Sequence, residues 1–586
     1  MLSLWTAAGE GFGDVSTVEN LTQFRRPVAI VSTGNRLLIA NQRSGSILIV
    51  DPAQLTVLRE FRITGRLSDL SLLPDGDLLA TDESAGNLLR LTRSADSLQV
   101  SGSIQVGYSP VSICPAPDGT WCSVSLLWAH QLTIVQIAPS THAMSIRKTI
   151  DLPFAPRKQC LLPDGKTVVV ADSFGQKIAV IDVPSASIRA IRSVEGHNIR
   201  GMSLSADGRE LLLSHPILSQ RLSTTHDNIF WGSVMGNAIR AIELPNVVSL
   251  PPAAEIRDPS NRVVPIGHWS LYALGEQGNA AGDPNALVVA RDGRVMVALA
   301  GVDEVAVGSL RDGLLKRFHV GRRPSALALD SSNRTLYVAN TLDDSISVID
   351  VSTSTPHSVG TISLGPQPAL TDADRGERLF YDSRLARDGW FSCNTCHTDG
   401  HTNGLLNDNF SDGSYGTPKQ IPALGGVADT APYAWNGSNA TLEEQIRHSI
   451  TMTMDGKPER ASDSNVADLA AYLRTLPPAP SLALARGRLD EGAVGRGSRA
   501  FQQWNCDHCH EPPAYTSSRT YDVRHPDEMG QLKWNPPSLR GVSQLPAFFH
   551  DNSAASLHDV LYEFRHPHGE DLSGQVDDLV AFLESL

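Results

Sequence analysis

Over its first 365 or so residues the chain alternates short apolar runs with polar turns, and the alternation repeats. A strand, a tight turn and a second strand recur around Gly34-Asn35, Asp75-Gly76, Asp118-Gly119, Asp164-Gly165, Asp207-Gly208, Asp292-Gly293 and Ser332-Asn333, at steps of about 41, 43, 46, 43, 85 and 40 residues. After most turns an apolar strand, a polar turn and a second apolar strand ending in Asp follow. Leu37-Leu-Ile-Ala-Asn41 with Ile47-Leu-Ile-Val-Asp51, and Val168-Val-Val-Ala-Asp172 with Ile178-Ala-Val-Ile-Asp182, show the pattern best. Units of 40 to 45 residues built from β-branched strands predict the blades of an all-β propeller. The spacing predicts seven blades, with residues 250–283 as an insertion inside the long step.

Leu336-Tyr337-Val-Ala-Asn340 and its siblings resemble the YVTN class of bacterial propeller repeats. The segment from His215 to Trp231 departs from the repeat, and long loops in compact domains are often functional, so it is expected to reach the module that follows. Near Leu364-Gly-Pro366 the strand pattern stops. Thr371-Asp-Ala-Asp374 is an N-cap signal, and helices are expected over 371–381, 462–476, 486–504 and 573–586. The predicted architecture is multidomain: a propeller over 1–366, then an all-α region in two modules, 367–480 and 481–586.

Composition narrows the function classes. Forty-nine Lys and Arg against 63 Asp and Glu give a net charge of −14, with no basic stripe for a nucleic acid. No apolar run approaches the eighteen or so residues of a membrane-spanning helix.

Four of the seven cysteines stand in two Cys-x-x-Cys-His strings, Cys393-Asn-Thr-Cys396-His397 and Cys506-Asp-His-Cys509-His510. This is the c-type haem attachment signature, in which two thiols add across the haem vinyl groups and the adjacent His is placed to ligate iron. A zinc reading would need the pairs to close one four-ligand site. Two covalently bound haem c groups are therefore expected, one per helical module. In bacteria such attachment takes place outside the cytoplasm, which implies an exported, periplasmic protein, although no leader is visible in the first 24 residues. Cys114, Cys122 and Cys160 read as buried free thiols.

Around these strings the sequence resembles the bacterial di-haem cytochrome c peroxidase and MauG family over residues 374–586. Gly376-Glu-Arg-Leu-Phe380-Tyr-Asp-Ser-Arg384-Leu resembles its GxxLFxDxRLS lead-in. Ala431-Pro-Tyr-Ala-Trp435-Asn-Gly437 with Thr441-Leu-Glu-Glu-Gln445 resembles FWDG…LEEQ. Pro537-Ser-Leu-Arg540 with Pro546-Ala-Phe-Phe-His550-Asp551 resembles TPSLRN…APYxHDG. The resemblance implies that the first haem reacts with hydrogen peroxide, that the second relays electrons, and that Trp435 lies between them. It puts the peroxidatic carboxylate on Asp455, one methylene shorter than the usual Glu, as the acid/base of O–O cleavage. It implies an electron-donor protein (a small cytochrome or cupredoxin) or an oxidised protein substrate.

The chain departs from the family in places. The Met or Tyr ligand of the second haem falls on Phe564, which cannot bind iron. His568, or His566 in its stead, is expected to ligate that haem, with Met529 as a rival. His401, His448 and Met454 stay open as distal groups of the first haem. The Arg usual after the FWDG string is Ser438, and the Thr before Pro-Ser-Leu-Arg is Pro536, which counts against the calcium ion that the resemblance implies between the haem modules. The leading functional expectation is a peroxide-using di-haem oxidoreductase. The alternatives are an electron carrier docked through its propeller, and a binding protein with vestigial haems.

Overall fold

The computed structural model describes residues 23–94, 97–248, 269–353, 355–566, 572 and 574–586. Seven four-stranded antiparallel sheets follow one another along the chain, each from four strands in sequence order. The first is Pro27–Thr33, Arg36–Asn41, Ser46–Asp51 and Thr56–Arg62. All seven turn signals fall between the first and second strands of a blade. The Asp that ends many third strands caps the next turn: Asp51 Oδ1 accepts from the Ala53 and Gln54 amides, both at 3.0 Å.

Middle strands such as Leu37–Ala40 are buried on both faces, because each sheet is packed between two neighbours. Leu38, Ala40, Ile47 and Ile49 pack on the second blade, and Leu37, Ile39, Leu48 and Val50 on the seventh. The fifth blade corrects the sequence reading of an insertion. Its fourth strand is Trp269–Ala273, paired with Met235–Glu243, so part of 250–283 is a blade strand. Residues 249–268 separate strands that normally follow within a few positions, so the segment looks like an insertion in sequence; those residues lie outside the described ones.

Among the described residues, the ring closes without exchanging a strand between its ends. The Arg25 and Arg26 amides donate to the Asp344 carboxylate of the last blade, each at 2.8 Å. Arg25 also pairs with Glu60 of the first blade at 2.8 Å, and Arg26 with Glu377 of the helical region.

That region contains four principal helices: α1 (Asp372–Phe380), α2 (Asp463–Leu473), α3 (Glu491–Gln503) and α4 (Val576–Glu584). They lie within the ranges expected from sequence. A capping box starts α1, with Thr371 Oγ1 accepting from the Asp374 amide at 3.2 Å. α1 packs on α2 as α3 packs on α4, through the same device. A Cβ on Gly376 would lie 1.9 Å from the Asp468 carbonyl oxygen, and one on Gly497 would lie 1.8 Å from that of Asp578. The preceding Arg closes each crossing with a forked ion pair, Arg375 on Asp468 and Arg496 on Asp578. Among the described residues, no helix is long and apolar enough to cross a membrane.

Candidate active site

One continuous cavity of about 1440 Å³ is lined by both Cys-x-x-Cys-His strings and by Trp435. The first string forms a short helix, Cys393–Cys396, opened by a Ser392/Thr395 capping box; the His397 amide closes it on the Cys393 carbonyl at 2.9 Å. His397 Nδ1–H donates to the Pro422 carbonyl at 2.8 Å, and His510 Nδ1–H donates to that of Tyr515 at 3.1 Å. A carbonyl can only accept, so each ring keeps its Nε2 lone pair for a metal. Burial pushes the His397 pKa down to about 4 and lowers that of His510, which favours the neutral, ligating form. Two thiols and one such imidazole, twice over on one cavity, fit two haem c groups.

The propeller collars the first string. Asp283 accepts from the Ser392 hydroxyl and from Thr395 Oγ1, the latter at 2.6 Å. His197 Nε2–H donates to the Thr395 carbonyl at 3.0 Å, and Asn237 donates to that of Trp390 at 2.9 Å. Asp399, two residues past His397, receives Arg200 at 2.7 Å, Arg157 at 3.2 Å, Arg323 at 3.3 Å and the Tyr381 hydroxyl at 3.1 Å. Burial alone would raise its pKa, but the three guanidiniums outweigh that and hold the carboxyl well below the usual carboxylate range.

The sequence reading missed this collar, although a signal was there. Arg26, Asp283 and Arg323 each precede the proline that begins an innermost strand, with left-handed φ of 59°, 53° and 53°. One repeat position thus supplies three contacts to the helical region. The loop singled out from 215 to 231 does reach that region. The Thr224 amide donates to the Asp408 carbonyl at 2.8 Å, and Trp390 Nε1–H donates to that of Phe230 at 3.3 Å.

The two modules share a frame that extends to two of the rings on the cavity wall. Gly426-Val427 and Gly541-Val542 begin matching segments with left-handed glycines, and nine positions on stand Trp435 and His550. Bridges Tyr433↔Asn439 and Phe548↔Ala554 brace the two loops alike. Trp435 Nε1–H donates to the Gln420 carbonyl at 2.8 Å, and its ring lies 6.4 Å from that of His550. His550 in turn stacks on Trp534 at 4.2 Å.

Asp455 is not among the cavity-lining residues; its carboxylate accepts from Arg387 Nε–H and from His226 Nδ1–H, the latter at 2.8 Å. The cavity wall from 442 to 454 presents Gln445, Ser449, Thr453 and Met454, and no carboxylate. Of the open distal groups, Met454 and His401 line the cavity and His448 does not. His401 Nε2–H is engaged by the Gln544 carbonyl at 3.3 Å, with its ring against Trp128 and Phe174. On the second side His566 lines the cavity, one turn position past Phe564 and Arg565, where the first module has Gly456. Met529 is 71 % exposed on a surface hairpin and away from the cavity. His568 lies outside the described residues.

One comparison falls within the helical part. Residues 371–479 match the family model described as di-haem cytochrome c peroxidase. A methylamine utilization protein MauG of Methylorubrum extorquens is 29 % identical over 273 residues, 36 % of this chain and 76 % of that one. The cytochrome c peroxidase Ccp of Escherichia coli is 26 % identical over 280 residues, 38 % of this chain and 60 % of its own length. A solved chain titled Kuenenia stuttgartiensis hydrazine synthase aligns over 58 % of this chain and 99 % of its own, at 20 % identity and a TM-score of 0.48.

Proposed function

We propose that this chain, whose C-terminal region is similar to the di-haem cytochrome c peroxidases and MauG proteins, is an oxidoreductase that uses hydrogen peroxide at its first haem site and draws electrons through the second. Cys393, Cys396 and His397 would hold one covalent haem c, and Cys506, Cys509 and His510 the other. Bound there, the two groups supply peroxide reduction at one iron and electron storage at the other. The observation that carries the reading is the single cavity that both strings share with Trp435.

Each part of the chain then has a task. The Pro422 and Tyr515 carbonyls fix the ring orientation of the two proximal histidines. The Gln420 carbonyl pins the indole of Trp435 on the cavity that both strings line, and there the indole would divide one long electron transfer into two short ones. Asp455 is held by Arg387 and His226, so its role in this reading is to fasten the distal loop to the propeller, and proton handling falls to the hydroxyls of Ser449 and Thr453. Electrons come from a small cytochrome or cupredoxin, or from a protein side chain oxidised in place. The protein works outside the cytoplasm, where such haems are attached.

A second reading is favoured by the carboxylate-free wall. With Met454 buried on it, the first iron has a thioether within the same cavity, as a closed electron carrier would need. Optical and EPR titration of the two-haem protein with peroxide separates the readings. Prompt oxidation of both haems with peroxide consumed supports the enzyme; two unresponsive low-spin haems support the carrier.

A further inference from the structure

Among the described residues, two groups of side chains bring three metal-binding donors together. Asp75, Asp77 and His142 form an exposed one, but Arg90 already neutralises it, at 2.8 Å from Asp77 and 2.5 Å from Asp75. His525, His550 and Asp551 form the other, and no described Arg or Lys pairs with its carboxylate.

His550 is 2 % exposed, and its Nε2 is buried without a hydrogen-bond partner. A polar atom so placed is costly unless something completes it. The donor atoms of the three residues lie within 4.8 Å of one another. His525 Nε2 and the Asp551 carboxylate are 3.0 Å apart, and Ser553 Oγ is 3.1 Å from the same nitrogen. Two donors each about 2.0 to 2.2 Å from a zinc ion come to rest about 3 to 3.5 Å apart, so closing this set takes small side-chain movements.

The surroundings hold the donors in place. Trp534 stacks on His550, and its indole N–H donates to the His525 carbonyl at 2.9 Å. Phe549 and Phe564 flank the His525 ring at 4.9 and 5.7 Å. The nearest ammonium, Lys419, is taken up by Asp527 at 3.0 Å and Asp412 at 3.6 Å, so it does not satisfy the site.

We propose that His525, His550 and Asp551 bind one late transition-metal dication, of the zinc class, beside the second haem site. Two imidazoles and one carboxylate with open positions suit zinc, copper or iron far better than calcium, which takes oxygen donors. The ion displaces the proton that His525 now shares with Asp551 and ties the 521–534 hairpin to the loop at 548–551. It thereby braces the part of the shared cavity wall that carries Phe549 and His550.

Zinc titration of the two-haem protein by calorimetry, with zinc counted by mass spectrometry after dialysis, tests this. One zinc per chain is expected, and His525→Ala and Asp551→Asn each lower its affinity about 100-fold or more with both haem absorption bands intact. His142→Ala should leave binding unchanged. Zinc lost in His142→Ala, zinc retained at wild-type affinity in both site variants, or no zinc retained by the wild type overturns the assignment. Should either site variant lose haem, competition of zinc against cobalt on the wild type decides instead. A single shared site with the affinity order zinc above cobalt upholds the proposal, and independent sites overturn it.

Discussion

The two helical modules are built on one frame and surrounded in opposite ways. Both have an Arg-Gly pair locking the first helix to the carboxylate and carbonyl of the last, and both have a left-handed glycine nine residues before a ring at the centre. Yet the first Cys-x-x-Cys-His string is gripped by Asp283, His197 and the arginines around Asp399. The second keeps to its own core of Phe501, Leu557, Leu579 and Phe582, and touches the propeller at its margin through Arg486, Arg488 and Gln544. A duplicated frame thus sets where a haem goes, and the neighbours set what that haem meets. The first string is shielded on its attachment side by the propeller; the second is not.

The largest expected break in this contrast is Asp399→Ala. It leaves Arg157, Arg200 and Arg323 facing one another without their shared anion, for a loss of about 3 to 5 kcal/mol in denaturant unfolding and easier proteolytic separation of propeller from helices. The equivalent position after the second string is Pro512, which carries no such role. Unchanged stability in Asp399→Ala would mean that the collar is ornamental.

Next is Trp435→Phe, which keeps the packing and removes the oxidisable indole. Peroxide added to the reduced protein should oxidise the first haem at the normal rate while the second lags about 100-fold, near 2.7 kcal/mol of barrier. Equal rates at both haems, read by stopped-flow absorbance, would reduce Trp435 to core filling.

Gly376→Ala and Gly497→Ala sharpen the likeness between the modules. In an open helix this change stabilises, but against a carbonyl oxygen each should destabilise by about 1 to 3 kcal/mol, and by similar amounts. A marked inequality in thermal unfolding would show that the two crossings are not equivalent. Smallest of all is Arg488→Ala at the margin of the second module. Its pair with Asp151 is exposed, and its removal should change unfolding free energy by under about 1 kcal/mol.

Much of this was legible in the residues. Turn pairs such as Asp118-Gly119 need a backbone that few others supply, so all seven blades could be counted from them. Helix α1 announced itself through Thr371 and Asp374. The fourth strand of the fifth blade did not, because Trp269–Ala273 stands far from the strand it pairs with. The collar escaped because Arg26, Asp283 and Arg323 share a backbone position and differ in charge. The frame shared by the modules hid behind the exchange of Trp435 for His550, two rings with unlike chemistry. Asp455 shows the limit of counting along a chain: the count reaches a carboxylate, but folding turns it to Arg387 and His226 and not to the cavity.

The unswapped ring carries a consequence for the order of assembly. Each blade is made of four consecutive strands, so its contacts are local and it can form as soon as its own segment is free. The seam is different: it waits for Asp344 to meet Arg25 and Arg26, and for Glu377 to reach Arg26. A chain threaded from its N-terminal end therefore builds an open arc first and fastens it only when α1 arrives. The seat for Cys393 and Cys396 is then complete just as those thiols emerge, and the last blade and α1 set the clasp on Arg25 and Arg26.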